Sequence, residues 1–314
     1  MNQKAFLTFS KIVLVNVFLV ILAGGVVRMT QSGMGCPDWP KCFGQWIPPT
    51  NESQLPANYK QIYAFKYVDL SFNAYHTWVE YINRLLGMIL GLLLLVQFIW
   101  AARYYKTHRN LFLLCGATLI LTGFQGYLGS KVVEANLEVV KITVHMLVAL
   151  LIAALSIAII NKVSFKKEYV FNKKLKSVAL TTMILLVFQI IMGTQVRQQI
   201  DEISKSLNFQ HRDLWIKNLS PIFFIHRSFS IVIAILCLYL FNKYQQSKQF
   251  VFSNWMMLAT VIGNILLGAV MTYLDVPAIA QPLHLLFSSI LLMSVFYNWL
   301  NTKQSIITEM QVSK

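Results

Sequence analysis

Six histidines, one glutamate inside an apolar run and two cysteines six positions apart carry the chemistry open to this chain. His145, His226 and His284 lie in or at the ends of apolar runs, where an imidazole without a partner is costly. One such residue alone reads as a hydrogen-bonded core histidine. Two on neighbouring helices at similar depth read as ligands. His226 and His284 each open an apolar run at the same end, an arrangement that suits two imidazoles facing a heme iron. Zinc wants four N, S or O ligands, and neither a cysteine nor a carboxylate accompanies this pair. His108, in a basic loop, and His211, in "FQHRDLW", read as surface residues.

The stretch "TWVEYINRLLG" (Thr77–Gly87) brings Glu80, Asn83 and Arg84 to the start of another run. Its counterpart is "FFIHR", with Asn83–Arg84 echoing His226–Arg227 and Phe223 standing where Glu80 does. Asn is a poor heme-iron ligand, so a site built from His145 and Asn83 is short of one imidazole. His76 is a candidate substitute, seven residues before Asn83 on one helical face but about 10 Å away along the axis. A carboxylate in only the half with the incomplete ligand set marks that half as reactive. The alternative is an i,i+4 salt bridge from Glu80 to Arg84. Arg28, Arg197 and Arg227, near the run ends, are candidate partners for heme propionates.

The elements that must position these groups are membrane spans. The chain is 56% hydrophobic and 12% charged, with mean hydropathy +0.57, more apolar surface than a soluble fold can hide. Eight apolar runs reach spanning length, at 11–28, 79–102, 111–130, 140–161, 177–196, 219–241, 252–274 and 281–300. The first lacks a small-residue cleavage site and reads as an uncleaved helix. The net charge of +15 is a topology signal, not one for nucleic acid. The N-terminus, even-numbered loops and C-terminus carry 15 Lys/Arg against two acids, while the odd-numbered loops carry 10 against nine. The positive-inside rule places both termini in the cytoplasm. Cys36 and Cys42, in "GCPDWPKC", then fall in an oxidising external loop, as a disulfide staple or a redox-active pair. Cys115 and Cys237 lie within apolar runs as packing residues.

The halves also repeat. "GGVVR" at Arg28 echoes "GTQVR" at Arg197, Gly129 with His145 echoes Gly268 with His284, and the latter two pairs share a 16-residue offset. The expected architecture is all-α and polytopic. It has two tandem pseudo-repeated four-helix bundles in one orientation, residues 1–165 and 166–314.

These motifs, with "SGMGCPDWPKCFGQ" and "EYINRLLG" the most specific, resemble the heme A synthase family over nearly the whole chain. The resemblance implies an oxidoreductase acting on a CH group. It converts the C8 methyl of heme O to the formyl of heme A, the cofactor of cytochrome oxidase. The N-terminal half would hold substrate heme, and the C-terminal half a heme b cofactor. The family's carboxylate matches Glu80 and its histidines match His145, His226 and His284. Asn83 departs from the histidine common at its position, and a second cysteine pair found in some members is missing from "VRQQIDEISKSLNF". Implied partners are heme O, heme O synthase or oxidase assembly factors, an electron acceptor and the lipid of the plasma membrane. Two rivals use fewer of these residues. A quinone-linked cytochrome b leaves Glu80 idle, and a membrane thiol oxidoreductase on Cys36/Cys42 leaves the histidines idle. A transporter fits least, because the duplication is parallel and no helix breaks at midplane.

Overall fold

The structure is a computed structural model that describes residues 2–63, 71–135, 137–164, 169–248 and 250–303. Eight helices among them are long and apolar enough to cross a membrane. In chain order the helices are α1 (Gln3–Met29), α2 (Tyr59–Ile62), α3 (Ala74–Ala102), α4 (Arg109–Glu134), α5 (Val139–Val163), α6 (Lys173–Ser206), α7 (Arg212–Lys217), α8 (Pro221–Gln246), α9 (Val251–Tyr273) and α10 (Ala280–Leu300). All but α2 and α7 are the candidate spans. Asparagines start three of these, with the side chains of Asn2, Asn73 and Asn172 accepting from the amides of Ala5, His76 and Leu175. Each satisfies an otherwise orphaned first-turn donor.

The helices form two compact units, Met1–Ala153 and Ala154–Lys314, with the division falling inside α5. The boundary expected at 165/166 lies outside the described residues.

In the first unit α3 packs against α1 and α4. Because the surroundings of a span are apolar, small residues and internal polar bonds matter more than burial. Gln97 of α3 donates to Ser10 of α1 at 2.9 Å, both side chains buried. Phe6 lies edge-on to Trp100 at 5.4 Å. The segment after α1 folds back as a cap over the bundle end, with Cys36, Cys42, Phe43, Leu55 and Tyr59 forming its core.

In the second unit α6 packs against α8 and α10, and α9 against α8 and α10. A parallel pair of two-residue strands, β1 (Val170–Phe171) and β2 (Thr302–Lys303), ties the start of α6 to the end of α10. Hydropathy ends the fifth span near 196, yet α6 runs ten residues further, to Ser206. The extension survives outside the apolar run because it is amphipathic. Val196 and Ile200 pack on Trp215 of α7, Leu219, Phe223 and Val276, while Arg197 pairs with Asp201 at 2.7 Å, one turn apart. Each unit thus carries a folded cap at the end where its histidines sit.

Candidate functional site

The first unit gathers its chemistry where α1 ends, α3 starts, α4 ends and α5 starts. Glu80 is one turn and a half into α3 and only 4% exposed. One carboxylate oxygen accepts the Cys36 amide at 2.9 Å, and the other pairs with the Arg84 guanidinium at 2.5 Å. Arg84 also donates to the carbonyls of Asp38 (2.6 Å), Lys41 (3.1 Å) and Cys36 (3.3 Å). The i,i+4 salt bridge considered from the sequence is therefore present, and it does more than stabilise a helix. Glu80 and Arg84 together hold the loop closed by the Cys36–Cys42 disulfide. Removing one member of such a buried pair is costly, about 3–5 kcal/mol, because the other charge is left alone.

Gly35 permits this docking. A Cβ there would stand 2.4 Å from the carbonyl oxygen of His76 and 2.8 Å from the Thr77 amide, both main chain and unable to swing aside. Thr77 Oγ1 donates to the Gly35 carbonyl at 2.9 Å, completing the seam. Gly35→Ala is expected to lift the loop off α3. In limited trypsin digestion the variant should be cut after Lys41 several times faster than wild type, and an equal rate would contradict the seam's role.

His76 sits above this cluster, its Nδ1 3.2 Å from the Gln31 carbonyl and its ring edge-on to Tyr75. It belongs to the loop seam, two turns from the level of Asn83. The Asn83 Oδ1 is buried and has no hydrogen-bond partner among the described residues. His145 lies on α5 beside the end of α4, with its ring edge over Gly129.

The second unit places His226 near the start of α8 and His284 near the start of α10. The two imidazoles are close enough to interact electrostatically. Phe223 occupies the position of Glu80, buried in the cap core, and the Arg227 guanidinium lies over the rings of Phe223 (5.8 Å) and Phe224 (5.6 Å). One half therefore pairs its arginine with a carboxylate, and the other stacks it on aromatics. Arg197 is engaged with Asp201, while Arg28, in the last turn of α1, offers its carbonyl to the Gln31 side chain.

His145, His226 and His284 share one unusual feature. In each the Nδ1 is buried without a hydrogen-bond partner among the described residues. An unsatisfied buried polar group costs about 1–3 kcal/mol, so three such imidazoles point to a bound group that the described residues do not themselves supply. Among the described residues no three His, Cys, Asp or Glu side chains converge as a metal-ion site. The donors suit an iron whose equatorial ligands come from a macrocycle. His226 and His284 would hold one such group, and His145, in the first unit, the other. The residues that sequence reasoning did not reach are amides: Gln125 donates to the His145 carbonyl at 2.8 Å and Gln189 to the His226 carbonyl at 2.9 Å.

Comparison with known proteins finds a match across residues 8–296 to the COX15-CtaA family, described as cytochrome oxidase assembly protein. Among similar curated proteins, the heme A synthase of Bartonella tribocorum is 24% identical, over 96% of this chain and 93% of its own length. The heme A synthase of Flavobacterium johnsoniae is also 24% identical, over 90% and 93%. That of Sphingopyxis alaskensis reaches 31% over 44% of this chain and 42% of its own.

Proposed function

The chain belongs to the cytochrome oxidase assembly protein family, and on that premise we propose that it is a heme A synthase, oxidising the C8 methyl of heme O to a formyl group. The observation that carries this reading is the inequality of the two units. Both present helix imidazoles whose Nδ1 makes no hydrogen bond among the described residues. Only the first has a buried carboxylate, Glu80, on the helix of the Asn83/His226 position, where the second has Phe223. The second unit's buried Asp201 lies on α6, paired with Arg197.

In this reading the chain is a duplicated pair of four-helix halves, divided near residue 165, with both termini cytoplasmic in the plasma membrane. The caps and the histidine ends then face outward. The first half takes heme O, with His145 on its iron and Arg84 and Asn83 in the pocket. Arg28, Arg197 and Arg227, near the outward ends of their apolar runs, are the candidates to meet propionates. Glu80 takes a proton from the reacting methyl or orients the water that supplies the oxygen. The Cys36 amide and Arg84 fix the direction of its carboxylate, which is the orientation such a role needs. His226 and His284 hold heme b in the second half, and when bound that heme supplies an acceptor of single electrons. The onward acceptor and the proteins that deliver heme O or collect heme A are partners of the same pathway.

Two results test the reading. Expression in cells that make heme O but no heme A should yield extractable heme A, and its absence would contradict the assignment. Asn83→His should convert the first-half heme to a six-coordinate low-spin spectrum. An unchanged spectrum would mean that Asn83 does not face the iron.

A further inference from the structure

Each helix histidine lies against a glycine on the preceding span. A Cβ added to Gly129 would stand 3.3 Å from Cε1 of His145. One on Gly193 would stand 3.2 Å from Cε1 of His226, and one on Gly268 3.8 Å from Cε1 of His284. Four residues before each glycine, one helical turn away, is a side-chain amide: Gln125, Gln189 and Asn264. Gln125 and Gln189 donate directly to the main-chain carbonyl of the histidine that rests on their glycine. Asn264 reaches the same turn differently: its Oδ1 accepts from Ser288 Oγ at 3.0 Å, and that hydroxyl also lies 2.7 Å from the His284 carbonyl, one proton shared between two acceptors.

A glycine at the fourth position does two things. It leaves a gap for the edge of the imidazole, and it uncovers the carbonyl one turn back, which a side chain there would shield. The main-chain carbonyls of Gln189 and Asn264 lie toward the rings of His226 and His284, without a hydrogen bond to either Nδ1. Metal-bound histidines are generally oriented by an acceptor opposite the free ring N–H. The fourth place in the pattern is informative. Counting back from Arg28 as from Arg197 puts Val20 where Gln189 stands and Gly24 where Gly193 stands, and the ring position is Asn83. The amide is lost at the one place where the imidazole is lost.

We infer that Gln125, Gln189 and Asn264, each with the glycine four residues on, are positioning residues for His145, His226 and His284. The amide clamps the histidine's own turn to the neighbouring span, and the glycine sets how closely the ring approaches. Together they fix where each imidazole nitrogen is aimed. The inference rests on the heme reading of the three histidines.

The two glycines of the second unit supply the test, because their clearances differ. An imidazole free to swing yields a few tenths of an ångström, whereas one tied to iron cannot. Full-length Gly193→Ala, purified in detergent, should lose most of its low-spin spectrum from the second-half heme or shift it to high spin. Gly268→Ala, whose added methyl meets only an ordinary contact, should keep it. Gln189→Met retains length but no donor. It should weaken heme retention by roughly tenfold, the loss typical of an outer-shell partner, and move the reduced spectrum. That variant also decides the matter if Gly193→Ala fails to fold. Wild-type spectra and heme content in both Gly193→Ala and Gln189→Met, or equal loss in the two glycine variants, would overturn the positioning role while leaving the heme reading intact. A low-spin spectrum in wild type that survives His226→Ala would overturn the heme reading and the inference with it.

Discussion

Glu80→Gln is expected to leave heme bound and to stop heme A formation. The substitution is nearly isosteric, and its amide oxygen can still accept the Cys36 N–H that Glu80 accepts at 2.9 Å. Arg84 loses its counter-charge but keeps its bonds to three loop carbonyls, which hold the disulfide loop docked at some cost in stability. What disappears is the negative charge and the capacity to take a proton. Losing a positioned general base typically costs about 10²–10⁴ in rate. Extracted hemes from cells carrying the variant should therefore be heme O with little or no heme A. The contrasting substitution is Glu80→Ala, which removes the acceptor of the Cys36 amide as well as the charge, so it should also loosen the loop. Wild-type heme A in the Gln variant would remove Glu80 from the chemistry and leave it as the anchor of the loop alone.

His226→Ala and His284→Ala form the second large effect. Each should abolish the low-spin spectrum of the second-half heme while sparing first-half binding, which depends on His145 in the other compact unit. The two imidazoles lie on different helices, α8 and α10, packed through their common neighbours α6 and α9. Losing either leaves the iron one axial ligand short. Reduced spectra of the purified variants decide this. A low-spin band surviving both substitutions would place the heme elsewhere.

Much of this arrangement was legible in the residues, and the remainder was hidden for physical reasons. Hydropathy located all eight long helices, because a span must satisfy its backbone internally and its side chains are apolar over about 20 residues. Helix ends were less legible. The tail of α6 reads as polar text, and only its Val196–Ile200 face and the Arg197–Asp201 pair reveal a helix. The Glu80–Arg84 pair could be read from its i,i+4 spacing. Its attachment to Cys36 could not, since 44 residues separate them and no local rule links a loop amide to a distant carboxylate. The Gln–Gly pairs were not legible, since an amide four residues before a glycine is ordinary in an apolar helix. They gain meaning only when the next span lays a histidine across them.

The pigment of the purified wild-type protein tests the central claim most directly, by reduced spectrum together with mass measurement of the extracted hemes. The expected content is heme b with heme O or heme A in the same preparation, the former lost with His226 and the latter with His145. Heme b alone would identify an electron-transfer cytochrome, and no heme at all would contradict the reading of the three histidines.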